Sequence, residues 1–451
     1  MTSKARKNAD KLNDIVNVRE FGAVGDGVTN DTAAIKAAVA SGAGSVYFPS
    51  GTYMCDQILW GNTTPNLGAI RLFGDVAALD GSFLEATSKT TRIKARSANS
   101  VFWRFNYSHH LVVENIAFHG GGFSDIVVQL QQGCTQHQWN KCVFEGATPV
   151  TGTLLYLGDD VINLQVDFCS FTDCLISGSY TDPLGQRPAN ALYIKQTNTI
   201  SNKFINTNFF HAKVIARLQG SSQTMFLGCF FGNHTDEAIA LVGGGDFNMT
   251  SCYTESTTGT RFLNLSNPLF SPGAIPIVLE NNSINQTVGN VLDASPNLPF
   301  VFKNNRFGQE VFVQSPTSTT QYYPVIFENN HFLTGGITGP GQTKYSLRKA
   351  NTLNGVPLRD TLGYWQEDFS IGFSAPSTVP GTSTAVITVP GAQLGDLVIL
   401  SNRKVAAVPT NYILQATVTA ADTVTLALTQ ITGAAAALSA ENFLVTLIKQ
   451  S

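Results

Sequence analysis

Charge is scarce in this chain. Asp, Glu, Lys and Arg make up 13% of the 451 residues, against ~25% in an ordinary soluble protein. The net charge is −3, which excludes a general attraction to nucleic acid or an anionic membrane surface. No apolar run reaches the ~18 residues of a membrane helix, so membrane insertion is not expected. The N-terminus carries Lys4, Arg6, Lys7 and Lys11 but no apolar stretch behind them, so no signal peptide is read there. The expectation is synthesis in a cytoplasm and release by a route such as cell lysis. Seven cysteines are an odd number without Cys-x-x-Cys spacing, which argues against zinc. No metal or cofactor is implied.

What the chain does have is an internal repeat. Ile116-Ala117-Phe118, Cys142-Val143-Phe144, Cys169-Ser170-Phe171, Asn208-Phe209-Phe210, Cys229-Phe230-Phe231, Cys252-Tyr253-Thr254, Asn282-Ser283-Ile284, Asn305-Arg306-Phe307 and Asn330-His331-Phe332 begin 26, 27, 39, 21, 23, 30, 23 and 25 residues apart. A period in the twenties marks a solenoid with one coil per repeat. Alternation along a strand puts the first and third residues of each segment on one face. Stacked coils then form an inner Phe column and an inner Cys/Asn column. On this reading Cys142, Cys169, Cys229 and Cys252 are a buried, reduced ladder. Asn282, Asn305 and Asn330 continue it through side-chain amide hydrogen bonds.

Upstream, Asn17-Val18-Arg19-Glu20-Phe21-Gly22-Ala23-Val24-Gly25-Asp26-Gly27-Val28-Thr29-Asn30-Asp31-Thr32 makes a Gly/Asp loop leading into a short helix over Thr32 to Ala40. Asn30 or Asp31 is placed to cap it. Ile35, Ala38 and Val39 form its apolar stripe. The helix is too short to stand alone and must lie on apolar structure. The first strands follow in Val46-Tyr47-Phe48-Pro49 and Gly51-Thr52-Tyr53-Met54. The segment Phe21 to Gly27, with Asn30-Asp31-Thr32, Ile35 and Val46-Tyr47-Phe48-Pro49-x-Gly51-x-Tyr53, resembles the N-terminal signature of the pectate-lyase-like superfamily. It does so in the form common in bacteriophage tailspikes and tail-fibre depolymerases. The resemblance implies an all-β, right-handed parallel β-helix (a single-stranded solenoid) with an N-terminal capping helix.

Three regions follow from this. Residues 1–16 read as a short N-terminal attachment segment, through which a tailspike would join a phage tail or baseplate protein. Residues 17–360 read as the β-helix with its capping loop and helix. In 361–451, after Tyr364-Trp365-Gln366-Glu367-Asp368 as a junction, the short runs Thr384–Val389, Asp396–Leu400, Tyr412–Thr419, Thr423–Thr429 and Phe443–Ile448 read as a small antiparallel, sandwich-like β domain that trimerises the chain or contacts carbohydrate. A homotrimer is expected, since so uncharged a unit alone would expose open sheet edges.

The chemistry is not carried by a family motif. The polygalacturonase branch of the superfamily has Asn-Thr-Asp, Asp-Asp, Gly-His-Gly and Arg-Ile-Lys in that order. This chain has Arg92-Ile93-Lys94 ahead of Asp159-Asp160 and lacks Gly-His-Gly, so that site is not carried over. Geometry remains. Coils stack about 4.8 Å apart, so outward carboxylates one or two coils apart fall in the range of glycosidase pairs. The residues just after the Phe positions are His119, Glu145, Thr172, His211, Gly232 and Glu255, with Asp173, Asp236 and Glu237 close by. The catalytic candidates are therefore Asp236, Glu237, Glu255, Asp173 and Glu145, with Asp159-Asp160 as an alternative. His211, Arg187, Tyr180 and Trp139 are the substrate-binding candidates, beside the Pro- and Gly-rich loop Asp173–Pro188; Tyr253 is a further stacking face. The resulting expectation is a virion tailspike that depolymerises a bacterial surface polysaccharide (capsule, exopolysaccharide or O-antigen), as an endo-glycosidase. The alternatives are a lyase acting on uronic acids, with His211, Lys195, Tyr193 and Arg187 available, or a non-catalytic sugar-binding adhesin.

Overall fold

The structure is a computed structural model. It describes residues 14–448 except 62–66, 80–88, 159–165, 180–183, 196–199, 221–222, 243–245, 257, 267–275, 287–291, 295–298, 314–324, 339–345, 358–363, 390–391, 393, 403–411 and 434–437. Tyr180, Asp159 and Asp160 lie outside the described residues, as do the expected attachment segment up to residue 13 and the expected boundary at 360/361.

Each repeat is one coil of a parallel β-helix with three faces. The first face is a sheet of 13 parallel strands, from Ile15–Asn17 to Ser346–Lys349, each paired with the strand one coil away. The second runs through Gly51–Cys55, Thr91–Ala95, Val143–Ala147, Leu175–Ser177, Asn208–Phe210, Phe230–Gly232, Tyr253–Ser256, Ser283–Gln286 and onward. The third holds Thr153–Gly158, Asn190–Lys195, Val214–Gln219, Glu237–Val242 and Arg261–Ser266 among others. The long strand Ala117–Gln131 turns the corner from second face to third, pairing with Val143–Ala147 on one and Thr153–Gly158 on the other. Among the described residues no helix is long and apolar enough to cross a membrane.

The interior is built from columns. On the first face Trp139, Phe171, Phe204 and Phe226 are in register, fully buried, with ring centroids 5.9, 5.0 and 5.3 Å apart. On the second face Phe118, Phe144, Ile176, Phe209 and Phe231 form the matching column. Burial of each such side chain contributes about 1.5–3 kcal/mol.

Between these faces the coils from Asn115 onward make the same turn. One residue takes a left-handed conformation, as at Asn115, Lys141, Asp173, Asn206, Ser251, Asn281, Asn304, Asn329 and Ala350, with φ between 49° and 57°. The residue after it points inward, and from Cys142 onward its side chain donates to a carbonyl of the previous coil. Cys142 Sγ donates to Val113 O at 3.4 Å, Cys174 Sγ to Trp139 O at 3.4 Å, Thr207 Oγ1 to Phe171 O at 2.9 Å, and Cys229 Sγ to Phe204 O at 3.2 Å. Cys252, Asn282, Asn305, Asn330 and Asn351 continue the pattern. Ile116 fills the first of these positions without a donor; in the later coils a short side chain with a donor meets the carbonyl, and Cys, Thr and Asn interchange there. All seven cysteines are buried and free.

This corrects the repeat frame. Cys169 lies at the turn entering the first face, just before strand Ser170–Thr172, where its N–H donates to Asn202 Oδ1 at 3.1 Å; the ladder residues of those two coils are Cys174 and Thr207. The ladder positions 116, 142, 174, 207 and 229 are 26, 32, 33 and 22 apart, so the insertion is spread over two coils rather than one. The columns for the two faces share a Cys-x-aromatic pattern, and a sequence alone does not separate them.

At the N-terminal end the helix Thr32–Ala40 buries Ala34, Ile35, Ala38 and Val39. Asp31 does not cap it. Its carboxylate is buried and accepts from Val24 N–H at 2.7 Å and Gly25 N–H at 3.1 Å, closing the glycine loop. Asn30 Oδ1 accepts from Thr32 N–H at 3.1 Å instead. The C-terminal strands form two three-stranded antiparallel sheets around Val424, Leu426, Leu428, Phe443, Val445 and Leu447. Tyr364 to Asp368, read above as a junction, is the first half of strand Tyr364–Phe373, paired with Leu438–Ile448.

Candidate functional site

The register places the sequence candidates. The outward column at the end of the second face is Lys94, His119, Glu145, Ser177, Phe210, Gly232, Glu255 and Asn285. Glu145 and Glu255 belong to it. Thr172 is on the first face, and His211 is one residue beyond Phe210.

Three candidates leave the site. Trp139 is 0% exposed and stacked on Phe171 inside the first face, so it cannot meet a sugar. Glu145 is buried beside Arg92, 3.5 Å from its Nε, and Arg92 is also held by Ala78 O at 3.1 Å. That is an interior ion pair. Asp173 is the left-handed turn residue before Leu175–Ser177, at the opposite end of that strand from the second–third corner.

The others gather at that corner. Strand Glu237–Val242 opens the third face. Half-buried Glu237 is in register with Arg261 one coil on and accepts from Asn264 Nδ2 at 2.9 Å. Asp236 is exposed just before it; its N–H donates to Lys213 O at 3.0 Å and its Oδ1 accepts from Thr235 Oγ1 at 3.1 Å. Glu255, on the next coil, is exposed and accepts from Tyr253 Oη at 3.2 Å. The Asn233 N–H donates to Glu255 O at 3.1 Å, tying the two coils together. Arg187 is 8% exposed and donates through Nη1 to Asn233 O. His211 is 9% exposed with Nδ1 3.1 Å from Ser177 Oγ. Burial first, and the Arg187 charge second, hold its pKa down at about 4, so its imidazole is neutral at pH 7.

The sequence reading missed the aromatic neighbours. Phe210 and Phe230 face outward, with centroids 4.8 Å apart, and Tyr253 stacks on Phe230 at 5.2 Å. The imidazole of His211 stacks on Phe210 at 5.7 Å. A signal was present: in Phe209-Phe210 and Phe230-Phe231, adjacent strand residues point to opposite faces, so one of each pair must be outside. Gly232 fits between these rings, since a Cβ there would lie 2.5 Å from Phe230 and 2.8 Å from Phe210. On the third face, Tyr193 stacks on Tyr156 at 5.0 Å and donates to Gln219 Oε1 at 2.5 Å. Tyr193 and Lys195, named for elimination, lie there on one strand.

Comparison with known proteins agrees with this architecture. The family model for rhamnogalacturonase A/epimerase, pectate lyase-like, matches residues 15–101. Mannuronan C5-epimerase AlgE5 of Azotobacter vinelandii is 39% identical over 77 residues, which is 16% of this chain and 7% of that protein. The chain thus spans a small part of that relative's length. The N-terminal fragment of bacteriophage Phi29 gene product 12 superposes with a TM-score of 0.50 at 14% identity, covering 76% of this chain and 63% of that one. The Dettilon tailspike protein gp208 gives 0.48 at 10% identity, covering 99% and 96%. The tailspike gp61 of Pseudomonas phage phi297 gives 0.44 at 12% identity, covering 97% and 99%. At such identities the likeness is one of fold. The chain is a parallel β-helix protein whose residues 15–101 match that pectate lyase-like family model, and the residues that carried the resemblance, Phe21 to Tyr53, lie inside the matched segment.

Proposed function

We propose that this protein is a phage tailspike that binds a bacterial surface polysaccharide and cleaves it within the chain. The observation that carries the proposal is the grouping of Asp236, Glu237 and Glu255 on successive coils of one open corner, next to an outward aromatic stack. Adjoining coils lie about 4.8 Å apart along the solenoid axis, and the corner adds a lateral step between Glu255, which stacks on Gly232, and Glu237, which stacks on Arg261; carboxyl pairs in glycoside hydrolysis span roughly 5–10 Å. Their surroundings differ. Glu237 is half-buried, with Asn264 on its carboxylate and Arg261 beside it; Glu255 is exposed and bound by a phenol. Two carboxyl groups in unlike settings can divide the roles of proton donor and of nucleophile or base. Hydrolysis by this group is the first reading.

His211 supports a second reading. An imidazole kept neutral by burial is able to take a proton alpha to a uronic-acid carboxyl group, with elimination in place of hydrolysis. The matches to mannuronan C5-epimerase AlgE5 and to bacteriophage Phi29 gene product 12 fit either reading. The protein is read as a homotrimer on the virion tail, joined to a tail or baseplate protein through its N-terminal segment.

Incubation with a panel of purified capsule, O-antigen and exopolysaccharide preparations tests this. Cleavage shortens the polymer. New reducing ends without ultraviolet absorbance mark hydrolysis; absorbance from an unsaturated product marks elimination. A polymer bound and left intact marks an adhesin. Light scattering at the mass of one chain removes the trimer.

A further inference from the structure

The aromatic stack on the second face ends abruptly. His211, Phe210, Phe230 and Tyr253 follow one another at 5.7, 4.8 and 5.2 Å. The next residue in register with Phe230 and Tyr253 is Ser283, and the one after it is Arg306. A small side chain therefore separates an aromatic ring from a guanidinium, with coils about 4.8 Å apart. Tyr253 is 36% exposed. Its phenol donates to Glu255 at 3.2 Å and accepts from Asn285 Nδ2 at 3.3 Å, and Arg306 Nη1 donates to Asn285 Oδ1 at 3.4 Å. The notch has an aromatic wall, a serine floor, a cationic far wall, and Glu255 and Asn285 along one edge.

We propose that this notch is a pyranose subsite, in which one sugar ring takes the place of the missing fifth ring of the stack. The apolar C–H face of the sugar lies on Tyr253. Its ring substituents meet Arg306 and Asn285 as donors and Glu255 as an acceptor. The pattern of one apolar surface with a few fixed polar groups is that of a small-ligand site. A protein partner would need about 800 Å² of surface on each side, far more than one ring and a serine offer. The inference rests on the polysaccharide reading above, and it places a bound sugar against Glu255, one of the carboxylates that reading invokes. Gly232 is a positioning residue for the subsite: it lets Phe210 and Phe230 close up behind Tyr253.

Ser283→Phe tests the notch by filling it, since a fifth ring would extend the stack without loss of fold. Wild type, Ser283→Phe, Tyr253→Ala and Tyr253→Phe are run by affinity electrophoresis through gels cast with each polysaccharide of the panel, and thermal unfolding is recorded in parallel. On the polymer that retards the wild type, Ser283→Phe and Tyr253→Ala are expected to lose at least tenfold in affinity at unchanged or higher Tm, and Tyr253→Phe to lose less. Wild-type retardation by Ser283→Phe would overturn the subsite and leave the polysaccharide reading standing. A wild type retarded by no polymer of the panel would overturn both.

Discussion

The main-chain N–H of Asn282 and its side-chain amide both converge on Asn305 Oδ1, each at 3.0 Å. One oxygen thus satisfies two buried donors of the coil before it, and Asn305 Nδ2 donates in turn to Leu279 O at 2.8 Å. Asn305→Ala removes the acceptor of the Asn282 main-chain N–H, one of the two acceptors of the Asn282 amide, and the amide donor to Leu279 O. An unsatisfied buried donor or acceptor costs about 1–3 kcal/mol, so this substitution is expected to lower the unfolding midpoint by more than an ordinary surface change. At Cys229, threonine, already present at position 207 of the preceding coil, is expected to be tolerated. Leucine, which has no donor, is not. Denaturant unfolding of the three variants checks the rule.

His137 sits 0% exposed with Nε2 3.0 Å from both Ser108 Oγ and Ser108 O, and burial pulls its pKa down to about 4. The unfolded chain takes up this proton near pH 6.5, so between pH 6.5 and 4 the unfolded state binds more protons. Stability is therefore full above about pH 6.5 and falls as pH drops toward 4. Each unit of depression is worth about 1.4 kcal/mol. Urea midpoints at pH 7 and pH 5 are expected to differ less in His137→Gln than in wild type.

Glu145 and Asp173 are assigned to the scaffold. Glu145→Gln removes the carboxylate charge beside the buried Arg92 guanidinium and is expected to lower the unfolding midpoint. Asp173→Gly keeps the left-handed turn at φ 54°, whereas a β-branched residue there costs about 1–2 kcal/mol. Asp173→Gly is expected to leave polymer cleavage unchanged, as a viscosity assay would record.

Asp31→Ala releases the N–H groups of Val24 and Gly25 at the N-terminal lid. Hydrogen bonds to a charged group contribute about 1.5–3 kcal/mol each. Hydrogen exchange is expected to rise first at Ile35 in the capping helix and at Val46 in the first coil, with later coils protected as before.

The solenoid was legible because its rule is local: a donor-bearing small residue at each turn, then an inward aromatic two places on. Asn282, Asn305 and Asn330 stood out for that reason, and Thr32 to Ala40 was bounded as the structure has it. The frame slipped at Cys169 because Cys-x-Phe fits the first face as well as the second. Site residues were harder to see. Trp139 and Tyr253 look alike in a sequence, yet one residue of register puts the first in the core and leaves the second on the surface. Glu145 was named for its column, which it does occupy; that Arg92, itself held by Ala78 O, pairs with it depends on a segment 53 to 67 residues earlier. Asn264 reaches Glu237, and Arg306 reaches Asn285, only through stacking of coils, which sets spatial neighbours about 20 to 30 residues apart without any motif.

The most direct test of the account is polymer cleavage by Glu237→Gln and Glu255→Gln beside wild type, on a polysaccharide that the wild type shortens. Acid–base groups contribute about 10²–10⁴-fold to rate, so each variant is expected to lose at least a hundredfold in kcat while thermal unfolding stays within a few degrees of wild type. Full activity in both variants would contradict a site at this corner.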